Sequence, residues 1–148
     1  CGFGRLEKLE LGETSVRMIL VKNPAGCNQV LNFLSELTEE YLLVVCLNDN
    51  TADGTDVSWI WDVEFECLCG TNKRPDEIFV SGVRCYDMAL RLKYAGVDNI
   101  IVEKDYDELL RRITSQHKPV YVIPTYTAML ELRERISKTF GIKEFWEL

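Results

Sequence analysis

Histidine is nearly absent from this chain: His117 is the single one among 148 residues. It sits beside Lys118 and Pro119, in no setting that pairs it with a serine or cysteine nucleophile, so a self-contained hydrolase of the triad type is not expected. The phosphate-cradling pattern G-x4-G-K-[ST] occurs nowhere, and the chain alone therefore cannot bind and cleave ATP by that route. No apolar run approaches the ~20 residues that span a bilayer, and no signal-peptide pattern opens the chain. Basic residues are in deficit: 17 lysines and arginines face 24 aspartates and glutamates, a net charge of −7. That balance argues against nucleic acid and against anionic membrane surfaces.

Six cysteines, at positions 1, 27, 46, 67, 69 and 85, are scattered rather than framed. Cys67-x-Cys69 is the one close pair, shorter than the spacing usual in zinc sites and with no second pair or histidine nearby. Neither a metal site nor a disulfide framework is expected, and the thiols fit a reducing cytosol. Cys46 inside LLVVC reads as a small buried hydrophobe.

What remains is a globular composition, 47% apolar and 28% charged, at the length of one ordinary domain. Such a chain buries about two-thirds of its unfolded surface. Runs of strand length alternate with segments of helical period. Leu6–Leu11 and Ser15–Val21 read as strands joined through Gly12, and Tyr41–Leu47 as a strand buried on both faces. Glu77–Val80, Ile100–Val102 and Val120–Ile123 complete the strands. Helices are expected over Asn28–Leu37, Tyr86–Ala95, Tyr106–Gln116 and a long last segment with Met129, Leu132 and Ile136 inward, with a short one over Asp62–Leu68. The order implies an α/β fold: a Rossmann-like, mostly parallel sheet of about six strands, flanked by helices on both faces, with the first hairpin as an antiparallel edge. Residues 1–148 read as a single domain.

In such sheets ligands collect where loops leave the carboxyl ends of the strands. Four segments leave there: Lys22–Cys27, Asn48–Asp56, Ser81–Arg84 and Pro124–Thr127. The second is the most informative. NDNTADGTDVSWIWD places Asp49, Asp53, Asp56 and Asp62 around one glycine and two tryptophans. A solvated loop has little use for Trp59 and Trp61, and a core has little use for four carboxylates. An EF-hand is rejected, because Thr51 and Ile60 stand where calcium ligands belong. The aspartates fit either a turn that caps a following helix or a surface facing a partner or ligand. KNPAG, from Lys22, combines a positive charge, the Asn23 amide and a turn able to approach a phosphate. Ser81-Gly82-Val83-Arg84 could hold an anion or be an ordinary turn, and Thr125 reads as a helix N-cap.

Taken together, LVKNPAGCNQVL, LNDNTADGTDVSWIWDVEFE, VSGVRCYDMALRLKYAG and IPTYTAM resemble the C-terminal domain of the MurT subunit of lipid II isoglutaminyl synthase, a Mur ligase relative. The resemblance runs from about Gly4 to about Ile136. It implies a third domain detached from a three-domain ligase, which would account for the missing P-loop and for a start at Cys1 rather than Met. It also implies amidation of the α-carboxylate of D-glutamate in the lipid II stem peptide, with ATP and Mg2+ in the full-length enzyme, and no cofactor for the isolated, inactive domain. A GatD-type glutaminase partner would supply ammonia, the central Mur ligase domain of the same chain would carry the P-loop, and the setting would be the bacterial cytoplasm at the inner face of the membrane.

By the same resemblance the acidic member of the partner's catalytic triad comes from the DGxD segment: Asp56 first, Asp53 second. Lys22 and Asn23 would approach ATP or the acyl-phosphate. Asp49, Asn50, Trp59, Arg84 and Tyr126 would face substrate or interface. Many relatives carry an aspartate for the nucleotide ribose where Ile19 stands here, so ribose binding by this strand is not implied. The alternatives are a non-catalytic docking domain and a Mur-type ligase that adds an amino acid.

Overall fold

A computed structural model describes residues 6–69 and 75–141. Cys1, and Gly4 where the resemblance begins, lie outside the described residues. Within them a six-stranded sheet is built from β1 (Leu6–Leu11), β2 (Thr14–Ile19), β3 (Leu42–Cys46), β4 (Glu77–Ser81), β5 (Ile100–Val102) and β6 (Val120–Pro124). The order is β1-β2-β6-β3-β4-β5, antiparallel between β1 and β2 and parallel elsewhere. The expected sheet and its antiparallel edge are thus both present.

Four helices, α1 (Pro24–Ser35), α2 (Cys85–Tyr94), α3 (Tyr106–Thr114) and α4 (Tyr126–Phe140), cover the two faces. α1 and α2 pack on one face through Val30, Leu31, Met88 and Leu92, and α3 and α4 on the other through Leu110, Ile113, Leu132 and Ile136. Alternation along β3 feeds both cores: Leu43 and Val45 point to the first, Leu42 and Val44 to the second. A strand buried on both faces has no polar side to show, which is why its sequence is a continuous apolar run.

Most boundaries shift by one or two residues, β2 ending at Ile19 rather than Val21, and two larger differences bear on the candidate sites. α1 starts at Pro24, four residues before the expected Asn28, because proline at the first helical position loses no needed N–H and Asn23 caps it. The KNPAG turn is therefore the first turn of α1. The segment read as one short helix over Asp62–Leu68 is instead part of a run of three 3-10 turns, Thr51–Asp53, Ser58–Asp62 and Phe65–Leu68.

In register, Cys46 of β3 lies beside Pro124 of β6 and Ser81 of β4. The loops that follow these three central strands consequently emerge side by side. No helix among the described residues is long and apolar enough to cross a membrane.

Candidate functional site

Asn48, the first residue after Leu47, is 1% exposed and ties the three loops together. Its backbone N–H donates to Thr125 Oγ1 at 2.9 Å. Its side-chain Nδ2 donates to Thr127 Oγ1 at 2.9 Å and to Glu131 Oε1 at 3.0 Å. Its Oδ1 accepts from the Val83 N–H at 2.8 Å. A buried amide satisfied on both ends fixes its neighbours strongly, since any displacement strands a desolvated polar group. Gly82 allows the approach: a Cβ there would lie 2.4 Å from the Leu47 carbonyl oxygen, and its φ of +92° suits only glycine.

Asp53 and Asp56 have opposite settings. Asp53 Oδ1 accepts from the backbone N–H of Thr127 at 2.7 Å. Its Oδ2 accepts from the Thr127 hydroxyl and from the Asn50 N–H. Thr127 is the second helical residue of α4, so Asp53 caps that helix from another loop. Thr125 occupies the N-cap position as expected, but its hydroxyl accepts from Asn48 and makes no capping bond. Asp56 is exposed. Its Oδ1 accepts from the Ser58 N–H at 2.8 Å, and the Ser58 hydroxyl and amide hold its carboxyl below the usual carboxylate range. Asp56 therefore stays ionised at neutral pH, with Ser58 as its hydrogen-bond partner among the described residues.

Around Asp56 lies a recess of about 260 Å³ bordered by Ser58, Trp61, Arg84 and Asp87. The Arg84 guanidinium is engaged by Asp49 at 2.8 Å and Asp87 at 2.6 Å. The N–H groups of Val83 and Arg84 go to Asn48 Oδ1 and to the Leu47 carbonyl. The two N–H groups of the turn are therefore already taken, and Arg84 is held between two carboxylates. Trp59 is half-buried against the core, whereas Trp61 is 45% exposed and meets the exposed Tyr94 edge-on at 5.5 Å.

Lys22 and Asn23 lie apart from Asp56, at a cleft of about 330 Å³ walled by Met18, Leu20, Val21 and Met129. Lys22 is exposed. Asn23 Oδ1 accepts from the Gly26 N–H at 2.9 Å, which leaves its Nδ2 for a ligand. Ile19 is fully buried, so β2 presents no polar group in place of the ribose-holding aspartate. Tyr126, at the start of α4, is 44% exposed, and Asn50 is exposed with Nδ2 on Thr127 Oγ1. The structure thus joins Asp49, Asn50, Asp53, Asp56 and Arg84 in one network of loops and leaves Lys22 and Asn23 at a second place.

Comparison with known proteins bears on the family and the fold. The family model for the MurT ligase C-terminal domain matches residues 20–129. The chain belongs to this family. It is 38% identical over 138 residues to the MurT subunit of lipid II isoglutaminyl synthase (glutamine-hydrolyzing) of Streptococcus pneumoniae, covering 91% of this chain and 30% of the relative. The corresponding Staphylococcus aureus subunit is 36% identical over 138 residues, covering 93% of this chain and 31% of the relative. The chain therefore spans about a third of the length of these curated relatives. Among solved structures, a folylpolyglutamate synthase from Thermotoga maritima superposes with a TM-score of 0.64 at 21% identity, over all of this chain and 33% of that one. UDP-N-acetylmuramate-alanine ligase MurC from the same organism gives 0.53 at 15% identity, over 89% and 28%. At these identities the solved structures establish the fold alone.

Every candidate residue of this MurT C-terminal domain falls inside the matched region. Three residues that build the site were not singled out from sequence. Asn48 and Thr127 carried no signal beyond lying in strand-end loops. Arg91 did carry one: it stands among Met88, Leu92 and Ala95 on the buried side of α2, where an arginine needs partners. It finds them in the carbonyls of Ile60 and Val63 and in the Glu66 carboxylate.

Proposed function

We propose that this MurT C-terminal domain serves a longer ATP-dependent ligase that amidates the α-carboxylate of D-glutamate in the lipid II stem peptide. In this reading the ammonia comes from a GatD-type glutaminase subunit with a cysteine nucleophile and a histidine base. Asp56 supplies the third member of that triad across the subunit interface. The observation that carries the reading is the setting of Asp56: exposed, ionised, and held only locally, by Ser58, on a loop otherwise anchored at both ends. A carboxylate at the far nitrogen of a histidine fixes its tautomer and stabilises the imidazolium as it forms. Asp53 is less suited, since reaching a partner would cost it the bonds to α4.

The domain's contribution to nucleotide is narrower. In this reading Lys22 would meet phosphate oxygens and the Asn23 Nδ2 would donate to one, while the buried Ile19 offers the ribose nothing. The fit is to the phosphate end. Bound ATP would supply the phosphoryl group that activates the substrate carboxylate, with Mg2+, on the central domain. By itself the domain turns over no ATP.

The exposed Trp61–Tyr94 edge beside Asp56 favours a second reading, in which the loop docks the partner without lending a carboxylate. One experiment separates the two. Full-length protein carrying Asp56→Asn is combined with its glutaminase subunit, and glutamine hydrolysis is measured on complex verified by size exclusion. The catalytic reading expects a loss of about 10²- to 10⁴-fold with assembly intact. Hydrolysis at the wild-type rate would leave only the docking role.

A further inference from the structure

We infer that Asp53 and Thr127 form a clamp that holds Asp56 in register for the partner's histidine, with Asp53 a positioning residue that never touches the reacting groups. The inference rests on the role of Asp56 proposed above.

The Thr127 hydroxyl is saturated. A hydroxyl has one proton and two lone pairs. Here the proton goes to Asp53 Oδ2, and the lone pairs accept from Asn48 Nδ2 at 2.9 Å and Asn50 Nδ2 at 3.0 Å. One side chain on α4 thereby holds both ends of the segment from Asn48 to Asp53. The Asp53 carboxylate closes the same unit, spanning the Thr127 N–H and the Asn50 N–H. Its charge sits at the positive end of a 15-residue helix, where an anion is stabilised.

Between this clamp and Asp56 lie only Gly54 and Thr55, both exposed. Gly54 has a φ of +90°, and no atom beyond its chain neighbours comes within 4 Å of where its Cβ would be. This two-residue link has little rigidity of its own. On the far side the chain is pinned again, by buried Val57 and by Ile60, which is fully buried. Asp56 is thus suspended between two anchors, and its position is set by both. Releasing the upstream anchor frees the link, and a displacement of about 1 Å at a reacting group costs on the order of 10²-fold in rate.

The test uses the full-length protein assembled with its glutaminase subunit, with kcat and KM for glutamine and the Kd of the complex measured throughout. Thr127→Val and Asp53→Asn are each expected to lower kcat about ten- to hundred-fold, with KM and Kd unchanged. The double variant is expected to be no worse than the weaker single one, because both changes open one clamp. Thr127→Ser, which keeps the hydroxyl, should restore kcat. If Thr127→Val does not fold, Thr127→Ala carries the same comparison. A wild-type kcat in the hydroxyl-free variant overturns the clamp. Loss of activity in Asp53→Asn with a silent hydroxyl-free variant also overturns it, and makes Asp53 the reacting carboxylate. Asp56→Asn, run alongside, reports separately on the underlying reading: wild-type hydrolysis there refutes the triad role whatever the clamp variants do.

Discussion

Replacing Arg91 by methionine tests how the Asp56 loop is attached to the body of the domain. Arg91 is 4% exposed and reaches from α2 into the 3-10 turns. Its Nε donates to the Ile60 carbonyl at 3.0 Å, and its Nη2 to the Val63 carbonyl at 2.6 Å and to Glu66 at 3.0 and 3.1 Å. The guanidinium also lies over the rings of Trp61 and Phe65, 5.3 and 5.5 Å from their centroids. Methionine keeps the apolar stem but removes two hydrogen bonds from a charged donor, each worth about 1.5–3 kcal/mol, while the Ile60 and Val63 carbonyls each keep one backbone donor, the N–H of Val63 and of Phe65. Glu66 is 58% exposed and returns to water, so the ion pair itself adds little. Removing a desolvated guanidinium offsets part of the loss. The net expectation is destabilisation by about 2–3 kcal/mol, a fall in Tm of about 5–10 °C for a domain of this size. Urea unfolding of the domain, followed by tryptophan fluorescence, measures it.

The same variant has a pH signature. Hydrogen bonding to Arg91 holds the Glu66 carboxyl below the ordinary glutamate range. A depressed pKa contributes stability that is complete above the unfolded value and is lost as pH falls through the folded one. Without Arg91 that contribution is absent at every pH, so the gap between wild type and variant narrows on acidification below the ordinary glutamate range. A loss under about 1 kcal/mol, with a gap independent of pH, would refute the account of Arg91 as the tie between α2 and the loop.

Three further outcomes follow from single positions. Gly82→Ala forces a Cβ to within 2.4 Å of the Leu47 carbonyl at a φ of +92°, so it is expected to destabilise by about 3 kcal/mol or more in chemical denaturation. Asn23→Ala removes the cap of α1 and should cost about 1 kcal/mol, whereas Asn23→Asp keeps the capping oxygen and most of the stability. A nucleotide role for Asn23 would then appear as a rise in KM for ATP in full-length Asn23→Asp, at unchanged Tm. Burial pushes the thiols of Cys27 and Cys46 up to about 12, so both should resist iodoacetamide in the folded domain at mildly alkaline pH. Mass spectrometry showing early labelling of either would contradict the packing described.

How much of this was legible in the sequence depends on where each residue's partners lie. The strands and helices were readable because their signal is local: LLVVC can only be a doubly buried strand, and the apolar period of α3 and α4 points to one face each. Pro24 misled because proline both breaks a helix and opens one, and the Asn23 side chain decided between them within a single turn. The 3-10 turns were not readable, since Ser58–Asp62 is held at Ile60 by Arg91, 31 residues further on. Arg84 looked available to an anion until its neighbours in space, Asp49 and Asp87, were known.

The two aspartates of the DGxD segment show the limit most clearly. Same residue type, three positions apart, and separated by a flexible glycine, they are equivalent to any local rule. What distinguishes them is Thr127, 74 residues beyond Asp53, whose N–H and hydroxyl draw one carboxylate inward and leave the other in water. A carboxylate committed to a helix end is a poor donor of charge to a second molecule, and one held by a single neighbouring residue is a good one. The resemblance brought both residues into view, and the long-range hydrogen bonds rank them. A reaction that needs a carboxylate on another subunit's histidine therefore calls for the aspartate its own fold uses less, and of the two in the DGxD segment that is Asp56.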